Sequence, residues 1–195
     1  RFIFKRNLLM MTLLVLVIIF AIFTLNFFSK KQNATSNIGK SFSLIDQNGN
    51  MFFSKNTKKK KLIYFGYTYC PDICPMDVLK ISKLFDDNPN LYKELLPIFI
   101  SIDPERDRPE TLKDFIQNFN SAFIALTGSN DQINQIIKDY RIYVKLNKKN
   151  NSDLSYLVDH SSLIFLMDEN DNFITFFRTG DLFMKKIDPF LKKIL

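Results

Sequence analysis

From Leu8 to Leu25 the chain reads LLMMTLLVLVIIFAIFTL, a run without charge whose only polar residues are Thr12 and Thr24. Phe27 and Phe28 prolong the apolar stretch past Asn26. A helix needs about 20 such residues to cross the hydrocarbon core of a bilayer. A cleavable signal peptide has a shorter apolar region followed by small residues. This one ends in Asn26-Phe27-Phe28-Ser29-Lys30-Lys31, without such a site. The reading is an uncleaved transmembrane signal anchor over residues 8–28, after a short basic stretch at 1–7 and before a polar linker at 29–40. Residues 41–195 remain for one domain with a single core.

Charge sets the orientation and removes one class of partner. Arg1, Lys5 and Arg6 precede the apolar run, and Lys30 and Lys31 follow it. The larger group belongs inside, which puts the domain outside the cytoplasm, where disulfide chemistry persists. The few residues ahead of the run do not make an amphipathic organelle-targeting peptide. The expected location is therefore a bacterial inner membrane, single-pass, with the domain in the periplasm. Of 27 basic and 20 acidic residues, five basic ones lie in residues 1–37 with no acid among them. The rest of the chain is nearly balanced, and nucleic acid is not an expected partner.

The soluble part alternates between strand and helix signals. Asn48-Gly49 between apolar runs predicts a hairpin of Ser41–Asp46 with Gly49–Phe53. Lys58 to Lys61 read as a solvated turn, with contact to anionic lipid headgroups as the functional alternative. Leu62–Tyr67 follows as a buried strand. Met76, Leu79, Ile81, Leu84 and Phe85 recur at helical spacing up to Asn88-Pro89. Pro97–Asp103 reads as a strand, Pro109–Phe119 as a helix and Phe123–Thr127 as a short strand. Asp131–Tyr140 reads as a helix with Ile133, Ile136 and Ile137 on one face. Ile142–Leu146 and Tyr156–Asp159 are extended, Leu163–Met167 and Phe173–Arg178 form a hairpin, and Leu182–Leu195 is a closing helix. The order predicts an α/β domain with a mixed central sheet covered by helices.

Cys70 and Cys74 are the only cysteines, and His160 is the only histidine. The cysteines follow a buried strand and open a helix, where N-terminal amides and the helix dipole favour thiolate. That placement suits redox chemistry or a metal. With three intervening residues both sulfurs can face one ligand. Two thiolates and one imidazole suit three-coordinate Cu(I), whereas Zn(II) would want a fourth donor. Cysteines buried as core residues are the plain alternative, set against Pro71, Asp72 and Pro75 around them. For His160 the plain alternative is a hydrogen-bonded structural residue.

The stretches YFGYTYCPDICP, FISIDPERDRPE and YLVDHSSLIFLMD resemble, in order and spacing, the three signature segments of the SCO/SenC family of membrane-anchored copper chaperones for cytochrome c oxidase assembly. The resemblance covers roughly residues 38–195. It implies a thioredoxin-like fold, copper held as Cu(I) and also Cu(II) by Cys70, Cys74 and His160, and delivery to the oxidase subunit that carries the dinuclear copper site. It makes the Asp103–Asp107 acidic turn a supporting or partner-facing element. Many members carry histidine before the first cysteine, and this chain has Tyr69. A second role is thiol-disulfide exchange that keeps the acceptor's cysteines reduced, with a thiol reductant as further partner. The cis-proline of general thioredoxins has no counterpart, because no proline lies between Pro109 and Pro189. Thr68-Tyr69-Cys70 is similar to a peroxidatic segment of peroxiredoxins, but no resolving cysteine or supporting arginine accompanies it.

Overall fold

Two hairpin turns share one sequence pattern, Asp46-Gln-Asn-Gly-Asn50 and Asp168-Glu-Asn-Asp-Asn172, and one construction. In each the first aspartate accepts backbone N–H bonds two and four residues on, from Asn48 and Asn50 in one turn and from Asn170 and Asn172 in the other. The fourth residue then takes positive φ, +82° at Gly49 and +66° at Asp171. These features belong to a computed structural model that describes residues 10–11, 13–24, 38–150, 155–178 and 187. By internal contacts the chain divides into residues 1–37 and 38–195.

In the first unit residues 10–11 and 13–24 are helical. Among the described residues no helix is long and apolar enough to cross a membrane. The remainder of the anchor expected at 8–28 lies outside the described residues, as does linker 29–37. The closing helix expected at Leu182–Leu195 also lies outside them, except for Ile187, which is helical and buried.

The second unit contains β1 (Ser43–Asp46), β2 (Met51–Phe53), β3 (Lys60–Gly66), α1 (Ile73–Asp87), β4 (Leu95–Ser101), α2 (Pro109–Ile116), β5 (Ile124–Thr127), α3 (Asn130–Asp139), β6 (Val144–Asn147), β7 (Leu157–His160), β8 (Leu163–Met167) and β9 (Phe173–Arg178). Seven strands form one sheet in the order β2-β1-β5-β4-β3-β8-β9, while β6 and β7 pair separately. β3 is parallel to β4 and β4 to β5, whereas β8 is antiparallel to β3. β3 lies between two neighbours with helices to bury its faces, so Leu62-Ile63-Tyr64-Phe65 is apolar without alternation and fully buried. The expected mixed sheet is present.

Two expectations about side chains need correction. The buried face of α1 is Cys74, Val78, Ile81 and Phe85, spaced by four, three and four residues, together with Leu84. Met76 and Leu79 lie half exposed instead, because the face is set by Cys74 pointing inward. The lysine run is not a solvated turn throughout, since Lys60 and Lys61 begin β3. Lys61 is fully buried, its Nζ 2.6 Å from Asp171 Oδ1 and within reach of the Asp168 and Glu169 carbonyls. Ser54 donates to the other Asp171 oxygen at 2.7 Å. That explains a carboxylate where Asn-Gly would make the easier turn.

Candidate metal centre

The centre forms where β3 ends. Tyr64 pairs with Ile164, so the residues before β8 reach past the end of β3 and His160 meets the first turn of α1. His160 Nε2 lies 3.3 Å from Cys74 Sγ. His160 Nδ1 lies 3.1 Å from the Ser161 carbonyl. A carbonyl only accepts, so Nδ1 carries the ring proton and Nε2 presents its lone pair to the sulfur. Burial holds the imidazole pKa below the ordinary histidine value, against the raising effects of the Ser161 carbonyl and of Asp77 and Asp159. The ring is flanked edge to face by Tyr64 and Tyr67, at centroid distances of 6.4 and 6.1 Å.

Helix α1 has no side-chain cap at Asp72. The Cys70 sulfur takes that place, accepting the Cys74 amide at 3.4 Å. Burial pushes the Cys70 thiol up, but hydrogen bonds from the Cys74 and Asp72 amides, the Cys74 thiol and the Ile73 amide outweigh it, and its pKa falls below the ordinary value. Cys74 is wholly buried, and burial pushes its thiol well up despite the Tyr67 amide and Tyr64 hydroxyl beside it. The two sulfurs are therefore unequal, one accessible and disposed to thiolate, the other recessed and protonated against His160. The plain reading of a buried core cysteine fits Cys74 and not Cys70, which is only partly buried.

Iodoacetamide will modify Cys70 in the folded chain, with a rate that levels off at lower pH than that of an unstructured cysteine peptide. Cys74 will stay unmodified until the chain is denatured. Peptide mass spectrometry across a pH series measures both, and equal labelling would contradict the asymmetry.

Space behind the recessed sulfur is tight, so that a side chain at Gly66 would press on its neighbours. A Cβ on Gly66 would stand 3.2 Å from Cys74 Sγ and 3.0 Å from the rings of Tyr64 and Phe99. The Asp103–Asp107 turn supports the site through its two aspartates, which are buried, while Glu105 at its tip is exposed. Asp107 accepts the Thr68 amide at 2.9 Å and the Thr68 and Ser101 hydroxyls at 2.6 Å each, which ties the turn to the loop ahead of Cys70. Burial raises the Asp107 pKa against these bonds. Tyr69, in the position where histidine was expected, is half exposed and lies 4.9 Å from the Arg106 guanidinium. Among the described residues no three His, Cys, Asp or Glu side chains already stand in metal-coordinating geometry. Two of the three expected ligands, Cys74 and His160, are in contact, and the third, Cys70, caps the helix that carries Cys74.

The model of the SCO1/SenC family matches residues 30–192. The chain belongs to that family. An SCO2-like protein of Rickettsia typhi is 42% identical over 157 residues, covering 80% of this chain and 76% of the relative. Bradyrhizobium japonicum ScoI, solved with copper bound, superposes with a TM-score of 0.71 at 37% identity, covering 81% of this chain and 99% of that one. Arabidopsis thaliana ScoI, also solved with copper bound, gives 0.71 at 36% identity over 80% and 98%. The thioredoxin-like fold implied by the sequence motifs is thus the SCO1/SenC fold. Tyr64, Tyr67 and Arg106 were not singled out as site residues from the sequence. All three lie inside or beside the signature motifs, but a tyrosine in a buried strand carries no mark of the ring it flanks.

Proposed function

We propose that the chain is a membrane-anchored copper chaperone that binds copper through Cys70, Cys74 and His160. It delivers the metal to the dinuclear copper centre of cytochrome c oxidase during assembly. The observation that carries this reading is the contact between Cys74 and His160, in a chain whose whole cysteine and histidine inventory lies at that one place. The copper in the related ScoI structures supports it. Residues 8–28 act as a signal anchor in a bacterial inner membrane and hold the domain on the periplasmic side, near a membrane-embedded acceptor.

Copper is the cargo, and the two sulfurs divide the work. Cys70, accessible and disposed to thiolate, meets incoming copper first. Cys74 then gives up its proton as its sulfur takes the metal, and His160 adds Nε2 without a tautomer change. Release to an acceptor begins at the same accessible sulfur, with acceptor thiolates displacing Cys70 before Cys74 and His160 let go. Soft ligands of low coordination number favour Cu(I), and such a site gives up its ion by exchange without passing through a bare ion. The reduced full-length chain in detergent will take up one Cu(I) per molecule from a chromophoric chelator. It will pass that copper to an apo acceptor domain with a dinuclear copper site. Absence of uptake by the reduced chain would end the proposal.

The lowering of the Cys70 pKa by its amide hydrogen bonds favours a second reading, reduction of the acceptor's disulfide. Cys70 thiolate attacks one acceptor sulfur and expels the other as thiolate. Cys74, after losing its proton, attacks Cys70 to free the second acceptor thiolate. The acceptor gains two electrons, the chain is left as a disulfide, and a dithiol reductant must restore it. Counting thiols before and after transfer separates the readings, because metal delivery consumes none.

A further inference from the structure

His160 sits on β7, which pairs with β6 and not with the main sheet, whereas both cysteines follow β3. β8 brings the His160 end of the ribbon to the end of β3, and the rest of the ribbon is set by whatever joins it to the loop after β3. Arg106 lies at that joint. Its Nε donates to Asp103 Oδ2 at 2.6 Å, and its Nη1 donates to the Tyr156 carbonyl at 2.8 Å. Its guanidinium stands 3.6 Å from the ring centroid of Tyr156, 4.9 Å from that of Tyr69 and 5.6 Å from that of Tyr67. Tyr156 immediately precedes β7, while Tyr67 and Tyr69 belong to the loop that leads to Cys70. One planar cation thus touches both ligand-bearing segments.

Neighbouring contacts converge on the same joint. Tyr156 donates its hydroxyl to Asp103 Oδ1 at 2.5 Å. Lys148, just after β6, pairs with Glu105 of the same turn and lies 4.5 Å from the Tyr156 ring centroid. The Val158 amide donates to the Tyr67 hydroxyl at 3.2 Å, two residues before His160. The Arg106 side chain is largely buried, so its cation–π contacts are shielded from water and exceed the strength of exposed ones.

We infer that Arg106 is a positioning residue for the metal centre, fixing the ribbon that carries His160 against the loop that carries Cys70. Its guanidinium has no lone pair to offer a metal, so it acts on copper only by setting where His160 stands relative to Cys70. A lysine cannot replace it, because one ammonium cannot hold the carboxylate, the carbonyl and the aromatic faces in one plane. The inference rests on the copper reading above. A metal-independent measurement separates the two.

The test uses the full-length chain in detergent with Arg106→Met and Arg106→Lys. Cu(I) affinity by chelator competition will fall about 10–100-fold in Arg106→Met, the usual effect of losing a group that orients a ligand, and by less in Arg106→Lys. In a His160→Ala background the same Arg106→Met change will have no further effect on affinity. Without metal, hydrogen exchange at the Val158 amide will accelerate in Arg106→Met, while amides of β3 and β4 keep their protection. An Arg106→Met loss that persists undiminished in the His160→Ala background would overturn the inference, as would unchanged affinity in both variants or unchanged exchange at Val158. If Arg106→Met loses protection in β3 and β4 as well, Arg106→Lys decides by the same two readouts. Failure of the unsubstituted chain to bind Cu(I) overturns the copper reading, and faster Val158 exchange would then mark Arg106 as a structural joint only.

Discussion

His160→Ala lowers the affinity for Cu(I) by more than the roughly 10–100-fold that follows loss of an orienting group, because it removes a donor atom. The fold survives, since His160 is only partly buried and β7 lies outside the main sheet. X-ray absorption of the copper-loaded variant should keep two sulfur neighbours and lose the imidazole. The pH dependence has a definite sign. Burial lowers the His160 pKa below its ordinary value of 6.5, so the ring stays neutral where an exposed histidine is already protonated. The affinity advantage of the unsubstituted chain over His160→Ala will therefore persist as pH falls through 6.5 and close only at lower pH. Chelator competition across a pH series measures it. Equal affinity of the two proteins at neutral pH would remove His160 from the centre.

Lys61→Met will lower the unfolding free energy by about 3–5 kcal/mol, the range found when one member of a buried ion pair is deleted. The effect is large because Asp171 would be left in the interior without its cation, with only the Ser54 hydroxyl on its other oxygen. Lys61→Met with Asp171→Asn will recover more than half of the loss, since asparagine tolerates the positive φ of the turn and carries no charge. Denaturant unfolding of the three proteins measures the cycle. A loss below about 1 kcal/mol, the level of an exposed pair, would show that the ion pair is not holding the β8–β9 turn against β3.

These two expectations differ in how far the sequence anticipates them. The chemistry of the centre is legible in residue types alone, because two thiols and one imidazole in a chain with no others leave few partners for a soft metal. The elements were legible where local rules dominate. The hairpin at Asn48-Gly49 requires positive φ, and the continuous apolar run of β3 requires cover on both faces. Local rules fail at Met76 and Leu79, which match a helical period as well as Val78 and Cys74 do. Only the surface that α1 packs on chooses between them. They fail again at Lys61, where a charge in a lysine run reads as solvated and the compensating carboxylate lies at Asp171 on a distant turn.

Residue inventory and periodicity therefore determined what kind of chain this is: an apolar segment ahead of an α/β domain, with a thiol pair at a strand-to-helix junction. Tertiary structure decided which sulfur is accessible, that Nε2 of His160 faces the recessed one, and that Arg106 and the 103–107 turn join the segments that carry His160 and Cys70. The physical reason is distance along the chain. A dihedral preference or a repeat of apolar residues is expressed within a few residues, whereas burial, ion pairing and the approach of His160 to Cys74 join groups that only the folded backbone brings together.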